Sequence, residues 1–133
     1  SSYEVEQVLN AHPSVLESAA VGIRVEGAGG EEEIKAVLAV QGEPPDLVEL
    51  LDWCVERMPR FTVPRYFEFV DELEKTASGK IRKQALRDSG VTPATLDREA
   101  IGYVIARLLT SWWEARRGAI AASPTPAVEV ARQ

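Results

Sequence analysis

The sequence predicts an α+β fold: a small three-stranded sheet flanked by helices, followed by a C-terminal amphipathic helix. Three observations carry this. Hydrophobic periodicity alternates between helical and strand-like along the chain, in the order helix, strand, strand, helix, strand, helix. Two apolar runs, 15–24 and 34–40, flank a glycine-rich charged turn and so form a hairpin-like pair. Pro13, Pro44, Pro45, Pro59 and Pro64 stand at the borders of the periodic stretches, never inside them.

Ser1 and Glu4 have the spacing of a capping box, and Val5, Val8 and Leu9 share one helical face, which predicts a first helix over about 2–11. His12-Pro13 ends it, because proline disfavours helical geometry in the residue before it. From Val15 to Arg24 the chain is apolar and β-branched, with Val15, Ala19, Val21 and Ile23 on one side of an alternation that Glu17 interrupts. Glu26 to Glu33 is a turn, and Ile34 to Val40 a second strand. Pro44-Pro45-Asp46 opens a second helix, with Asp46 and Glu49 as another capping box and Leu47, Leu50, Leu51, Cys54 and Met58 along its inner face. Arg65 to Val70 is an aromatic third strand, Asp71 to Gly79 a loop, and 81–89 a short helix that Gly90 stops. Beyond it, Thr92-Pro93 reads as a helix cap and Asp97 as a second start, after which Ile101, Val104, Ile105, Leu108, Leu109 and Trp112 recur at helical spacing up to Gly118. The Ser-Pro-Thr-Pro tail lacks the apolar periodicity to fix itself.

Composition narrows the function. At 133 residues and 45% hydrophobic, the chain suits one globular core. A net charge of −6 with interspersed signs disfavours a nucleic-acid partner. Cys54 and His12 are the only residues of their kinds, which excludes an internal disulfide or thiolate zinc cage, and no metal site is predicted. No apolar run approaches the roughly 20 residues of a membrane span, and Ser-Ser-Tyr-Glu is no signal peptide, so the expectation is a soluble, cytoplasmic protein without membrane association. Opening directly on a helix start, without Met, suggests a piece of something longer.

The loop ending in Ser78-Gly79-Lys80 is the most informative feature. Glycine permits a tight turn, and the following lysine carries a compact ammonium on a flexible stem, suited to an oxyanion that appears transiently. Taken alone, the tripeptide matches many ordinary surface loops. Taken with Tyr3-Glu4-Val5-Glu6, His12-Pro13-Ser14-Val15, Ala20-Val21-Gly22, Phe61-Thr62-Val63-Pro64-Arg65-Tyr66 and Lys75-Thr76-Ala77-Ser78-Gly79-Lys80-Ile81-Arg82-Lys83, in that order, it resembles the C-terminal domain of the adenylate-forming (AMP-binding) superfamily. Gly90-Val91-Thr92-Pro93 with Asp97-Arg98-Glu99 is most similar to acyl-CoA synthetases of the crotonobetaine/carnitine-CoA ligase type.

That resemblance covers residues 1–90 as a C-terminal lid domain, and helical periodicity and tail composition beyond it predict a helical extension over 91–121 and a disordered tail over 122–133. The resemblance implies a ligase that joins a carboxylic acid to CoA in two steps: attack on the α-phosphate of Mg-ATP to give an acyl-adenylate and pyrophosphate, then displacement of AMP by the CoA thiol. ATP and CoA are the implied cosubstrates, with Mg2+ held by a larger N-terminal adenylate-binding domain of the same polypeptide. Lys80 is the implied catalytic lysine of adenylation, Thr76, Ser78 and Gly79 position it, and Arg82 and Lys83 are candidates for the CoA phosphate or for countering a helix dipole. The lid would rotate between the steps, and alone it would be inactive. The sequence departs from the family's pattern at Glu74, Ala77 and Thr62, and a carboxylate at Glu74 is placed to bias Lys80. Glu4 reads as a cap and Glu6 as a residue able to position the lid. His12 reads as capping or facing water, Cys54 as a buried inert thiol, and Trp112 and Trp113 as packing on this domain or the larger one. Two alternatives stay open: a standalone binding module with the lid fold, and the lid of an adenylation domain that loads a carrier protein.

Overall fold

A computed structural model describes residues 1–26 and 31–103. Its elements are α1 (Ser2–Asn10), β1 (Val15–Arg24), β2 (Glu32–Val40), α2 (Leu47–Arg57), β3 (Tyr66–Val70), α3 (Lys83–Ser89) and β4 (Leu96–Asp97), with a 3-10 turn at Arg60–Thr62. The predicted order is observed, with β4 added. The sheet runs β1-β2-β3-β4. β1 and β2 form the expected antiparallel pair, β3 lies parallel to β2 across the α2 crossover, and β4 is antiparallel to β3.

Both faces of this sheet are covered, which explains why β1 and β2 are apolar almost throughout. One face carries α1 and α2: Val5, Leu9, Leu50, Leu51 and Cys54 pack on Ala20, Ala36, Leu38 and Phe67. The other carries α3 and the loop before it, with Leu73, Ile81 and Leu86 against Ala19, Val37 and Ala39. A bulge between Val15 and Glu17 shifts the alternation of β1. Val15 therefore joins the α1/α2 core, while Ala19, Val21 and Ile23 face the opposite side, so the four are not one stripe.

The Ser1–Glu4 capping box is present at the start of α1. That of α2 is half present. Asp46 accepts from Glu49 N at 3.3 Å, but the Glu49 side chain turns to His12, whose Nε2 lies 2.9 Å from Glu49 Oε1. Ser14 N donates to His12 Nδ1, and the ring meets Trp53 edge-on at 4.9 Å. His12, in the turn after α1, is thus buried and paired with Glu49 of α2 rather than facing water.

After α3 the chain departs from the helix read at Thr92-Pro93 and Asp97. Thr92 closes a turn on Thr95, and Leu96–Asp97 pairs with β3. Asp97 caps a turn, accepting from Glu99 N at 2.9 Å, while Arg65 takes its carboxylate. The capping signal was local and genuine, but a guanidinium brought in by β3 fixed the residue in the sheet. The predicted helix from Val104 onward, including Trp112 and Trp113, and the tail lie outside the described residues.

Candidate functional site

Residues 71–82 join β3 to α3 and fold as a tight hairpin. Lys75 and Ile81 form an antiparallel bridge, Thr76 N donates to Lys80 O at 2.7 Å, and Gly79 N donates to Thr76 O at 2.9 Å. The tip Ala77-Ser78-Gly79 closes with Gly79 at φ +86°, as three-residue hairpin loops do. A Cβ on Gly79 would meet nothing within 4 Å, so the backbone conformation, not crowding, calls for glycine. Thr76 Oγ1 accepts from Lys80 N at 3.2 Å and lies 3.0 Å from Ser78 Oγ. Thr76, Ser78 and Gly79 therefore converge on the backbone that presents Lys80.

The charge around that tip is sorted. Lys75 Nζ pairs with Glu17 at 3.2 Å, Arg82 with Glu74 at 2.9 Å and Lys83 with Glu6 at 2.7 Å. Lys80 is exposed and has no carboxylate partner among the described residues. Glu74 is occupied by Arg82, which answers its suspected pull on Lys80. The two candidate acceptor-binding cations differ. Arg82 and Glu74 are 52% and 69% exposed, a solvated pair that is easily given up, whereas Lys83 and Glu6 are 29% and 15% exposed. What remains is one uncommitted ammonium at the tip of a braced loop, able to meet an anion brought to it.

On the α1 side of the sheet an apolar cleft of about 200 Å³ is lined by Ser2, Val5, Ala20, Gly22, Ile34 and Thr62. The Lys80 hairpin is not part of its wall. Among the described residues, no three His, Cys, Asp or Glu side chains are grouped to hold a metal ion. No helix among them is long and apolar enough to cross a membrane.

Two polar clusters escaped sequence reasoning. Lys35, 1% exposed, donates to Glu68 Oε1 at 3.0 Å and to Gly90 O at 2.6 Å, and Thr92 and Thr95 donate to the same Glu68 oxygen. Arg65 pairs with Asp97, Glu99 and Glu33 at 3.0–3.4 Å, and Arg98 donates to Val63 O at 3.1 Å. The one signal in the sequence was a lysine inside an otherwise apolar strand.

Residues 4–80 match the AMP-binding enzyme C-terminal domain family. Over 90 residues the chain is 39% identical to a 2-methylpropanoate–CoA ligase of Humulus lupulus, covering 66% of this chain and 16% of that protein. Over 94 residues it is 37% identical to a long-chain-fatty-acid–CoA ligase of Yersinia pestis, covering 71% and 16%. Among solved structures, the unliganded O-succinylbenzoate coenzyme A synthetase of Bacillus subtilis superposes with a TM-score of 0.58 at 31% identity, over 72% of this chain and 18% of that one. The chain thus spans about one sixth of the length of the curated relatives it matches.

Proposed function

The chain belongs to the AMP-binding enzyme C-terminal domain family, and from that membership we propose that it is the lid of an ATP-dependent acid:CoA ligase, with Lys80 as its adenylation lysine. The observation that carries this reading is the contrast at the hairpin: three neighbouring cations are paired and Lys80 is not.

The chemistry asks for such a group. When a carboxylate attacks the α-phosphorus of ATP and pyrophosphate leaves, negative charge gathers on the phosphoryl oxygens and on the oxygens in line with them. A cation that meets those oxygens only in the transition state lowers the barrier without tightening ground-state binding. Lys80 stands on a hairpin whose turn is fixed by Gly79 and Thr76, so the loop is ordered before substrate arrives. Its partner in this step is the larger adenylate-binding domain, which supplies the remaining wall of the site, and the isolated lid has no ligase activity.

A lid that serves two steps needs a second working surface. We assign the apolar cleft beside Gly22 and Thr62 to the acceptor's arm in the thioester step, with Arg82 as the cation that can release Glu74 for a phosphate.

The test uses the full-length chain that contains this domain, with ATP, CoA and a panel of carboxylic acids. Acid-dependent release of AMP and pyrophosphate with formation of an acyl-CoA is expected, and the isolated lid should release neither. ADP as the nucleotide product, or AMP release indifferent to added acid, would contradict the proposal.

A further inference from the structure

The outer edge of β1 carries an ion pair that joins elements on opposite faces of the sheet. Glu6 sits on α1, on one side of the sheet, and Lys83 is the first residue of α3, on the other. Around the edge, Glu6 Oε2 accepts from Ala20 N at 2.8 Å and from Lys83 Nζ at 2.7 Å. Ala20 N–H is an edge-strand donor that would otherwise face water, so Glu6 is anchored to the backbone of β1 and fixes where Lys83 stands. The pair is more sheltered than Glu74–Arg82 and correspondingly less screened.

Lys83 lies three residues beyond Lys80, past the bridge that closes the hairpin at Ile81. The hairpin's other arm is held by Lys75–Glu17, again to β1. The segment is thus tied by charge to the α1–β1 unit before the tip at Lys75 and after it at Lys83, ties that add to the packing of Leu73 and Ile81 on the sheet in setting where the tip points.

We infer that Glu6 and Lys83 are positioning residues for Lys80: their ion pair sets the angle at which the hairpin leaves the sheet, and Lys83 is not an acceptor-binding cation. This rests on the reading of Lys80 as the adenylation lysine. A small misplacement of a reacting group costs rate steeply, while affinity for substrates held elsewhere is unaffected.

The experiment compares Glu6→Gln, Lys83→Met, Lys83→Arg and Lys80→Ala in the full-length chain, measuring ATP–pyrophosphate exchange and thioester formation from supplied acyl-adenylate. Glu6→Gln keeps an acceptor for Ala20 N while losing the charge. It and Lys83→Met should lower kcat of exchange roughly 10- to 100-fold with KM for ATP unchanged. Thioester formation should persist, and Lys83→Arg should retain most of the exchange rate. A raised KM for CoA in Lys83→Met, equal losses in both half-reactions, or no loss in either would overturn the inference. Lys80→Ala is read separately: if it keeps normal exchange, the underlying assignment fails and takes this inference with it, whereas a Lys80→Ala loss beside an active Lys83→Met sinks only the inference.

Discussion

Lys80 stands apart because its neighbouring cations are each held by a carboxylate. The Ser-Gly-Lys turn was legible in the sequence, since glycine before a lysine at a predicted loop tip has a local meaning. The sorting of charge was not, because Glu17 and Glu6 belong to β1 and α1 and reach the hairpin only once the sheet has formed. Gly79→Ala tests the turn itself. Holding a Cβ at φ +86° costs roughly 1–3 kcal/mol, so the variant should lose stability modestly in a denaturant titration and lose more in pyrophosphate exchange as the tip relaxes. Unchanged exchange would mean that the tip's conformation is irrelevant to the chemistry. Cys54 is a contrasting residue. Burial pushes its thiol up to about 12 despite the nearby Arg57, so it should resist a thiol reagent at pH 8 until the chain unfolds, as sequence reasoning anticipated from its place on an apolar helix face. Fast labelling of the native protein would refute this.

At the scale of elements, the segment from Gly90 to Asp97 is held by polar groups that no periodicity reveals. Lys35, inside the apolar run of β2, is a buried anchor, with Glu68, Thr92 and Thr95 supplied by other parts of the chain. Removing one partner of such a pair strands the other, so Lys35→Met should cost about 3–5 kcal/mol by denaturant midpoint, and Lys35→Met with Glu68→Leu should recover most of it. The same cluster gives a pH dependence. Burial pushes the Glu68 carboxyl up, but hydrogen bonds from Lys35, Thr92 and Thr95 outweigh it and hold the group below its ordinary 4.5. Asp97 is likewise held below 3.8, burial being outweighed by Arg65. A carboxyl held low in the fold and released on unfolding stabilises fully above its unfolded value, and that contribution disappears as the pH falls through the lowered one. Amide protection over 91–97 should therefore decline on acidification below about pH 4.5, and Glu68→Gln should flatten the decline. A profile identical in wild type and variant would remove Glu68 from the account.

For the whole molecule, the order of elements and the β1–β2 pairing were legible because each rests on periodicity and turn chemistry within a short window. The fourth strand was not. Leu96–Asp97 is two residues long, and its place is set by Arg65 and the free edge of β3. The face assignment of β1 failed at the bulge after Val15, since alternation counted across a bulge loses its phase. The resulting architecture has a division of labour. The α1/α2 face supplies most of the core and the apolar cleft, and the α3 face carries the Lys80 hairpin. Both surfaces are mounted on the same sheet, so under the proposed lid role the domain would offer them in turn to one partner without refolding.

The central claim is that Lys80 serves adenylation and not thioester formation. It is tested most directly by measuring both half-reactions in a full-length Lys80→Ala variant. The expected result is pyrophosphate exchange reduced by about 100- to 1000-fold, the usual consequence of deleting one transition-state electrostatic contact, with thioester formation from supplied acyl-adenylate near wild type. Wild-type exchange in that variant would contradict the account.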